Sequence, residues 1–267
     1  ARAARWPLDV FIPPDASPEV VVRLEQLEAR VHVCPREDDT PGDPCVRAFR
    51  AAVANGSLPF GVQGNENGLA VEGGKLLGYE LVEQLAGEGA SLAALFIQVG
   101  GGALASGCVQ ALREARSQGT IDALPALYTV QTYGAAPLSH AYDAFEGLSG
   151  SVSERLAYAV KHRGEFMRPW PSAPHSVAHG ILDDETYDWV ALVAGMAESG
   201  GQSVLASEAQ LLAANTQVTE HLGLSVCHTG TAGLAGALSA LAGDTQLPNG
   251  AVGVLLTGAE RTAASQH

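Results

Sequence analysis

The sequence predicts an α/β fold, doubly wound, with mostly parallel sheets. Apolar runs of strand length alternate with segments of helical periodicity along the whole chain, which favours this class. Residues 8–35 have the strand, helix, strand order and length of a parallel βαβ unit. Apolar residues make up 46% of the chain and aromatic residues only 6%, a composition that suits closely packed α/β layers.

The first elements are predicted from short apolar runs and their punctuation. Residues 8–13 are predicted as a strand that ends at two prolines, and residues 31–35 as the next strand. Between them, Ser17-Pro18-Glu19 is typical of a helix start, and apolar residues then recur at helical spacing up to about Ala29. Residues 36–44 are predicted as an acidic loop and residues 46–54 as a short helix.

The chain continues the alternation from about Gly61 onwards. The predicted strands are 93–99, 127–131 and 251–256, and the predicted helices are 73–85, 104–117, 153–160, 186–199 and 207–222. Because residues 132–180 carry four prolines, we expect this stretch to be irregular apart from the helix at 153–160.

Charge and cysteine content exclude several classes of function. The net charge of −14 disfavours a nucleic-acid partner, since a phosphate backbone needs a basic surface. No apolar run reaches the length of a membrane span, so no membrane association is expected. The four cysteines form no metal or C-x-x-C spacing, and we interpret them as reduced thiols of a cytoplasmic protein.

The run Val99-Gly100-Gly101-Gly102-Ala103-Leu104 is the strongest functional signal. It lies between a predicted buried strand and a predicted helix, where consecutive backbone N–H groups and the positive helix end can bind a phosphate. A merely tight βα turn is the alternative. The run is not a Walker A loop, which needs Gly-Lys-Ser/Thr. It matches the dinucleotide-binding fingerprint G-x-G-x-x-G only in part, which is evidence against a nicotinamide or flavin enzyme.

Four further segments, read with the glycine run, carry a family resemblance. They are residues 59–75, residues 181–189, Cys227-His228-Thr229-Gly230-Thr231-Ala232-Gly233-Leu234-Ala235-Gly236 and Val254-Leu255-Leu256-Thr257-Gly258. In this order and spacing the chain resembles the pyridoxal-phosphate enzymes of fold type II, the tryptophan synthase β-like superfamily. Threonine synthase-like proteins are most similar, followed by serine/threonine dehydratases.

The resemblance implies pyridoxal 5'-phosphate as cofactor and places six residues against it. Gly100, Gly101, Gly102, Ala103 and Leu104 would bind its phosphate. Thr229 would lie against its pyridine nitrogen, with Thr231 as a rival because the flanking glycines leave the register open. A hydroxyl there hydrogen-bonds a neutral nitrogen, which suits elimination and replacement. As an alternative, Thr229 is the N-cap of the helix that follows.

The lysine that carries the cofactor in this family has no counterpart here. The sequence has two lysines, Lys75 and Lys161, and neither matches the family's position. Residues 1–14 resemble a part of the small domain that follows the substrate-binding loop of the family. We therefore expect residues 1–60 to be the remainder of a small domain, incomplete at its start, and residues 61–267 to be the large cofactor-binding domain.

Other polar residues have structural interpretations that compete with functional ones. Asn65–Asn67 are predicted to occupy a turn with left-handed backbone, with a place at the mouth of the active site as the alternative. Glu72 and Lys75 are predicted to form a surface or interdomain pair. Residues 183–185 are interpreted as acidic residues at the start of the helix at 186. His228 is interpreted as a hydrogen-bonded core histidine, with a catalytic base as the alternative. His175 and His179 are four residues apart, but no third ligand is evident, so no metal site is predicted.

Two functions follow from the resemblance. The first is a lyase or synthase acting on a hydroxy- or phospho-amino acid, whose lysine lies outside this sequence, for example on a separate polypeptide. The second is a lysine-less, non-catalytic subunit that binds a phosphate ligand or a partner. A homodimer is expected because dimers are common among the family, and catalytic residues are not assigned from the sequence.

Overall fold

The computed structural model describes residues 1–37, 40–243 and 245–259, and the chain divides into two compact units, Ala1–Phe60 and Gly61–His267. The first unit contains β1 (Asp9–Ile12), α1 (Pro18–Gln26), β2 (Arg30–Val33) and α2 (Pro44–Ala54). Strands β1 and β2 are parallel, with Asp9 opposite Arg30, so the predicted βαβ unit is confirmed. The Asp9 carboxylate accepts hydrogen bonds from Arg30 and from His32 Nε2 at 2.8 Å, which fixes this register on the surface.

The second unit alternates helices and strands from its first helix onwards. Its elements are α3 (Gly68–Gly87), β3 (Leu92–Gln98), α4 (Ala103–Ser117), β4 (Ala126–Thr132), α5 (Pro137–Glu146), α6 (Val152–Lys161), α7 (Arg163–Phe166), a 3₁₀ turn (His179–Ile181), α8 (Trp189–Ser199), β5 (Gln202–Ala206), α9 (Glu208–Leu222), α10 (His228–Ala242) and β6 (Ala251–Val254). The predicted α/β fold with parallel sheets is confirmed.

The four-stranded sheet of this unit is parallel throughout and has the order β5-β4-β3-β6. Both faces of its central strands are buried, because alternate residues of β3 enter different cores. Leu95 and Ile97 pack with α4 and α8, whereas Ala94 and Phe96 pack with α9 and α10. In β4, Tyr128 lies opposite Phe96, and the two rings stack with centroids 4.5 Å apart. Since parallel strands end at one edge, the loops after β3 and β6 meet there.

The prediction of an irregular stretch at 132–180 is wrong, because α5 lies within it. Pro137 occupies the first turn of α5, where a backbone N–H has no partner in the helix and its absence costs nothing. The helix buries Leu138, Ala141 and Phe145 against the core. The sequence reading also missed β5, a five-residue strand that directly follows Gly200 and Gly201.

Two predicted helix starts are also wrong. Helix α3 begins at Gly68, five residues before the predicted start, and Asn67 stands at its N-cap position without a side-chain capping bond. Helix α8 begins at Trp189, three residues after the predicted start at 186. Residues 183–185 therefore lie outside its first turn and do not serve as its N-terminal charges. The side chain of Thr186 instead contacts the loop after β3.

Helix α9 begins with a capping box that permits a stability test. Ser207 Oγ accepts a hydrogen bond from the Gln210 N–H, and the Gln210 side chain accepts one from the Ser207 N–H at 2.8 Å. Replacing Ser207 with alanine should lower the free energy of unfolding by about 1 kcal/mol. Urea denaturation measures this loss, and Ser207→Thr, which keeps the hydroxyl, should recover most of it.

Candidate active site

The glycine loop after β3 forms the start of α4 at the carboxyl edge of the sheet. Gly102 is the N-cap of α4 and has φ of 101°, a left-handed conformation that a side chain disfavours. In the part of the chain that the structure describes, no acceptor bonds the backbone N–H groups of Gly102, Ala103 or Leu104. These donors therefore point out of the helix end and are available to an anion.

Neighbouring backbone and side chains hold the carbonyl groups of this loop. Thr186 Oγ1 donates to the Gly100 carbonyl at 2.9 Å, and the Asp188 N–H donates to the Gly101 carbonyl at 3.0 Å. Thr186 is fully buried, so the first of these bonds is shielded from water. With its acceptors occupied, the loop presents donors, which is the arrangement that a phosphate requires.

Gln131 supports the same loop, and our sequence reading missed it. Its side chain is fully buried at the end of β4. Its Nε2 donates to the Val99 carbonyl at 3.3 Å, while its Oε1 accepts from the Leu138 and Ser139 N–H groups at 2.9 and 3.1 Å. Gln131 thus joins the loop after β3 to the start of α5. A glutamine inside an otherwise buried apolar strand was the available signal.

The loop is closely packed at two of its positions, and a side chain at either would meet near neighbours. A Cβ on Gly100 would lie 2.4 Å from Asp183 Oδ2 and 2.9 Å from Ile181 Cα. A Cβ on Gly102 would lie 3.1 Å from Leu192 Cδ1 and 3.2 Å from Thr186 Cγ2, in addition to its strained φ. Glycine at these two positions therefore lets the backbone of the loop lie close to the residues that surround it.

Thr229 lies in the first turn of α10, and its hydroxyl oxygen accepts a hydrogen bond from the Gly180 N–H at 2.9 Å. Cys227 is the N-cap of α10, so the alternative interpretation of Thr229 as the N-cap is wrong. The hydroxyl proton of Thr229 remains able to donate. The same segment, residues 180–188, also supplies Thr186 and Asp188 to the glycine loop. It therefore contacts both Thr229 and the loop.

Thr231, the rival to Thr229, is fully buried, and its hydroxyl donates to the His228 carbonyl at 3.3 Å inside α10. His228 itself is half-buried at the first position of that helix rather than in the core. The structure adds Thr257, which our sequence reading did not single out for a role. Its hydroxyl accepts a hydrogen bond from the buried Gln98 amide, and its N–H donates to the Gly230 carbonyl at 3.2 Å.

Neither lysine is suited to carry a cofactor at this loop. Lys75 is 8% exposed, and its Nζ lies 2.7 Å from Glu72 and 3.0 Å from Glu114 of α4. The hydrogen bonds to Glu72 and Glu114 raise the pKa of Lys75, which holds it as an ammonium. The prediction of a surface or interdomain pair is wrong, since Lys75 is buried between α3 and α4 of one unit. Lys161 is exposed at the end of α6.

The remaining polar candidates have local roles. Asn65 and Asn67 do not adopt left-handed backbone, so that prediction is wrong. His179 Nδ1 bonds the Val177 carbonyl within its own loop at 3.1 Å. Within the described ranges, no group of three or more histidine, cysteine or acidic residues is arranged to hold a metal ion. None of the helices described combines the length and apolarity needed to cross a membrane.

A family model for pyridoxal-phosphate dependent enzymes matches residues 1–258. The chain belongs to this family. Its cofactor is therefore pyridoxal phosphate, and the free N–H groups, the missing Cβ atoms and the helix N-terminus after β3 fit the phosphate of that group. A comparison with curated protein sequences gives no match.

Solved structures with the same fold span nearly the whole chain. A threonine deaminase from T.th. has a TM-score of 0.65 and 18% identity, covering 98% of this chain and 72% of that chain. Maize serine racemase has a TM-score of 0.68 and 16% identity, with 98% and 69% covered. A fungal L-serine ammonia-lyase from Rhizomucor miehei has a TM-score of 0.63 and 18% identity, with 97% and 72% covered. At these identities the likeness establishes the fold.

Proposed function

We propose that this family member is a lyase or synthase that acts on a hydroxy- or phospho-amino acid by β- or γ-elimination or replacement, as threonine synthase-like enzymes do. The observation that carries the proposal is the set of free N–H groups from Gly102 to Leu104 at the start of α4. The names of the similar structures, a threonine deaminase and an L-serine ammonia-lyase, support a hydroxy-amino acid as substrate.

Each cofactor-binding residue has a defined task in this proposal. When bound, pyridoxal phosphate supplies an electron sink for reactions at the α-carbon of an amino acid. The backbone N–H groups of Gly100, Gly101, Gly102, Ala103 and Leu104 bind its phosphate without a lysine, as charge-assisted hydrogen bonds from backbone donors allow. The Thr229 hydroxyl donates to the neutral ring nitrogen. Thr257 offers a second hydroxyl for that task, since its oxygen already accepts from Gln98.

The cofactor-linked lysine lies outside these 267 residues in this proposal. Lys75 is held as an ammonium between Glu72 and Glu114, and Lys161 is exposed on α6. Residues 1–60 then belong to the small domain and residues 61–267 to the large cofactor-binding domain. The proposed assembly is a homodimer in the cytoplasm, and the four free thiols support a reducing compartment.

The state of the two lysines also favours a second candidate, a lysine-less subunit of the same fold that binds a phosphate ligand or a partner without catalysis. In that case the glycine loop binds its ligand non-covalently. The two candidates share the phosphate site and differ in catalysis, which requires a lysine linked to the cofactor.

Mass spectrometry of the natively purified protein after borohydride reduction distinguishes the two candidates. The proposed enzyme should yield a longer chain, or a second polypeptide, that carries a pyridoxyl-lysine, and peptide mapping should find Lys75 and Lys161 unmodified. An unreduced sample is the control, since only reduction makes the linkage permanent. A single unmodified species of 27.5 kDa would favour the lysine-less subunit instead.

A further inference from the structure

The turn before α3 lies against the glycine loop and brings an amide side chain to it. Gln63 begins this turn, and its carbonyl accepts hydrogen bonds from the Glu66 and Asn67 N–H groups at 3.2 and 2.9 Å. Gln63 Nε2 lies 3.4 Å from the position that a Cβ on Gly101 would occupy. Its side-chain amide makes no hydrogen bond with another described residue. The Gln63 side chain therefore places a hydrogen-bond donor without a protein acceptor beside the glycine loop.

Asp188 fastens this turn to the loop. Its carboxylate accepts hydrogen bonds from the Gly64 N–H at 3.0 Å and the Asn65 N–H at 3.1 Å, across more than 120 residues of sequence. Its own N–H donates to the Gly101 carbonyl at 3.0 Å. Asp188 stands at the N-cap position of α8 but does not cap that helix, since its side chain is directed to the turn. One residue thus fixes Gln63 relative to Gly101.

The hydrogen bonds between the Asp188 carboxylate and the turn before α3 are formed by a buried group. Asp188 is 8% exposed, and burial raises the pKa of its carboxyl group while the two N–H donors counter that rise. A buried carboxylate persists where it accepts hydrogen bonds that replace those to water. The Gln63 turn is therefore held in place before any ligand arrives, which lowers the ordering cost of binding.

We propose that Gln63 is a side-chain ligand of the phosphate bound by the glycine loop, and that Asp188 is the positioning residue that holds Gln63 there. This inference rests on the proposed function, because it needs the loop to bind the phosphate of pyridoxal phosphate. A neutral amide donor adds a directed hydrogen bond to the phosphate without a cation, as the backbone donors of this loop do.

Binding titrations on the purified protein with three probes test the assignment: pyridoxal phosphate, inorganic phosphate and pyridoxal. We expect Gln63→Ala to weaken pyridoxal phosphate and inorganic phosphate about tenfold, since one hydrogen bond to a charged group is lost, and to leave pyridoxal unchanged. Gln63→Glu should weaken both phosphate probes further, because it places a carboxylate beside an anion. Gln84→Ala, an exposed glutamine on α3, is the matched control and should bind all three probes as the parent does.

A double-mutant cycle tests the part assigned to Asp188. Asp188→Asn should weaken inorganic phosphate in the parent protein but add little in the Gln63→Ala background, because its effect passes through Gln63. A merely structural role would give equal losses in both backgrounds, and that result would overturn the positioning assignment. Thermal unfolding of each variant shows whether the fold persists.

The outcomes separate this inference from the proposed function. A parent protein that binds both phosphate probes, with Gln63→Ala binding them equally well, overturns the assignment of Gln63 and leaves the proposed function intact. A Gln63→Ala variant that loses pyridoxal as strongly as pyridoxal phosphate also overturns it, because the phosphate would not be the group contacted. A parent that binds neither phosphate probe overturns the proposed function and this inference together.

Discussion

Replacing Gly102 with alanine is expected to weaken pyridoxal phosphate at least a hundredfold. The residue has φ of 101°, and a Cβ would meet Leu192, Asp188 and Thr186 at 3.1–3.2 Å. Because the left-handed φ and these contacts act together, we expect the N-cap of α4 to shift, and the N–H groups of Ala103 and Leu104 to shift with it. Two misplaced charge-assisted hydrogen bonds, each contributing about 1.5–3 kcal/mol, account for a loss of this size. Absorbance or fluorescence titration with pyridoxal phosphate measures it.

Gly119 offers a control on the same helix. It follows the end of α4 with φ of 74°, and a Cβ there would meet nothing within 4 Å. Gly119→Ala therefore introduces backbone strain similar to that of Gly102→Ala without disturbing the loop, and its affinity for pyridoxal phosphate should be unchanged. Equal losses in the two variants would mean that strain in α4, rather than the position of the N–H groups, governs binding.

The glycine loop could be predicted from the sequence because its pattern lies within one short segment. A buried strand, three glycines and a helix start follow one another between residues 92 and 117, and the structure has them in that order. The residues that hold the glycine loop in place could not be predicted from one local pattern. Gln131, Thr186 and Asp188 contact the loop or its neighbours from distant parts of the sequence, and only the fold brings them together.

The errors in the helices and strands have a related cause. A proline breaks a helix when it lies in the helix interior and is favoured in the first turn. The sequence around Pro137 does not distinguish these two positions. The i,i+3 spacing of Glu72 and Lys75 predicts a surface or interdomain pair, whereas Lys75 is buried and also pairs with Glu114 of α4. Long-range contacts decided each of these cases, and a pattern within one segment does not report them.

Replacing Gly201 with alanine is expected to lower the free energy of unfolding by about 3 kcal/mol or more. A Cβ there would lie 1.8 Å from the Leu127 carbonyl oxygen and 2.5 Å from two further backbone atoms of Leu127. These are backbone atoms of β4, so no rotamer change can relieve the overlap, and overpacking of this kind is among the costly substitutions. The Gly201 carbonyl also accepts the Tyr142 hydroxyl at 3.0 Å and would be displaced from it.

The neighbouring glycine separates crowding from backbone strain. Gly200 has φ of 72°, and a Cβ on it would meet nothing within 4 Å, so Gly200→Ala should cost only about 1–2 kcal/mol. Conformation alone ranks Gly200 as the more sensitive position, whereas the approach of β4 ranks Gly201 first. Urea denaturation of the two variants decides between these orders. A smaller loss for Gly201→Ala would mean that β5 can move away from β4 at its first residues without unfolding the sheet.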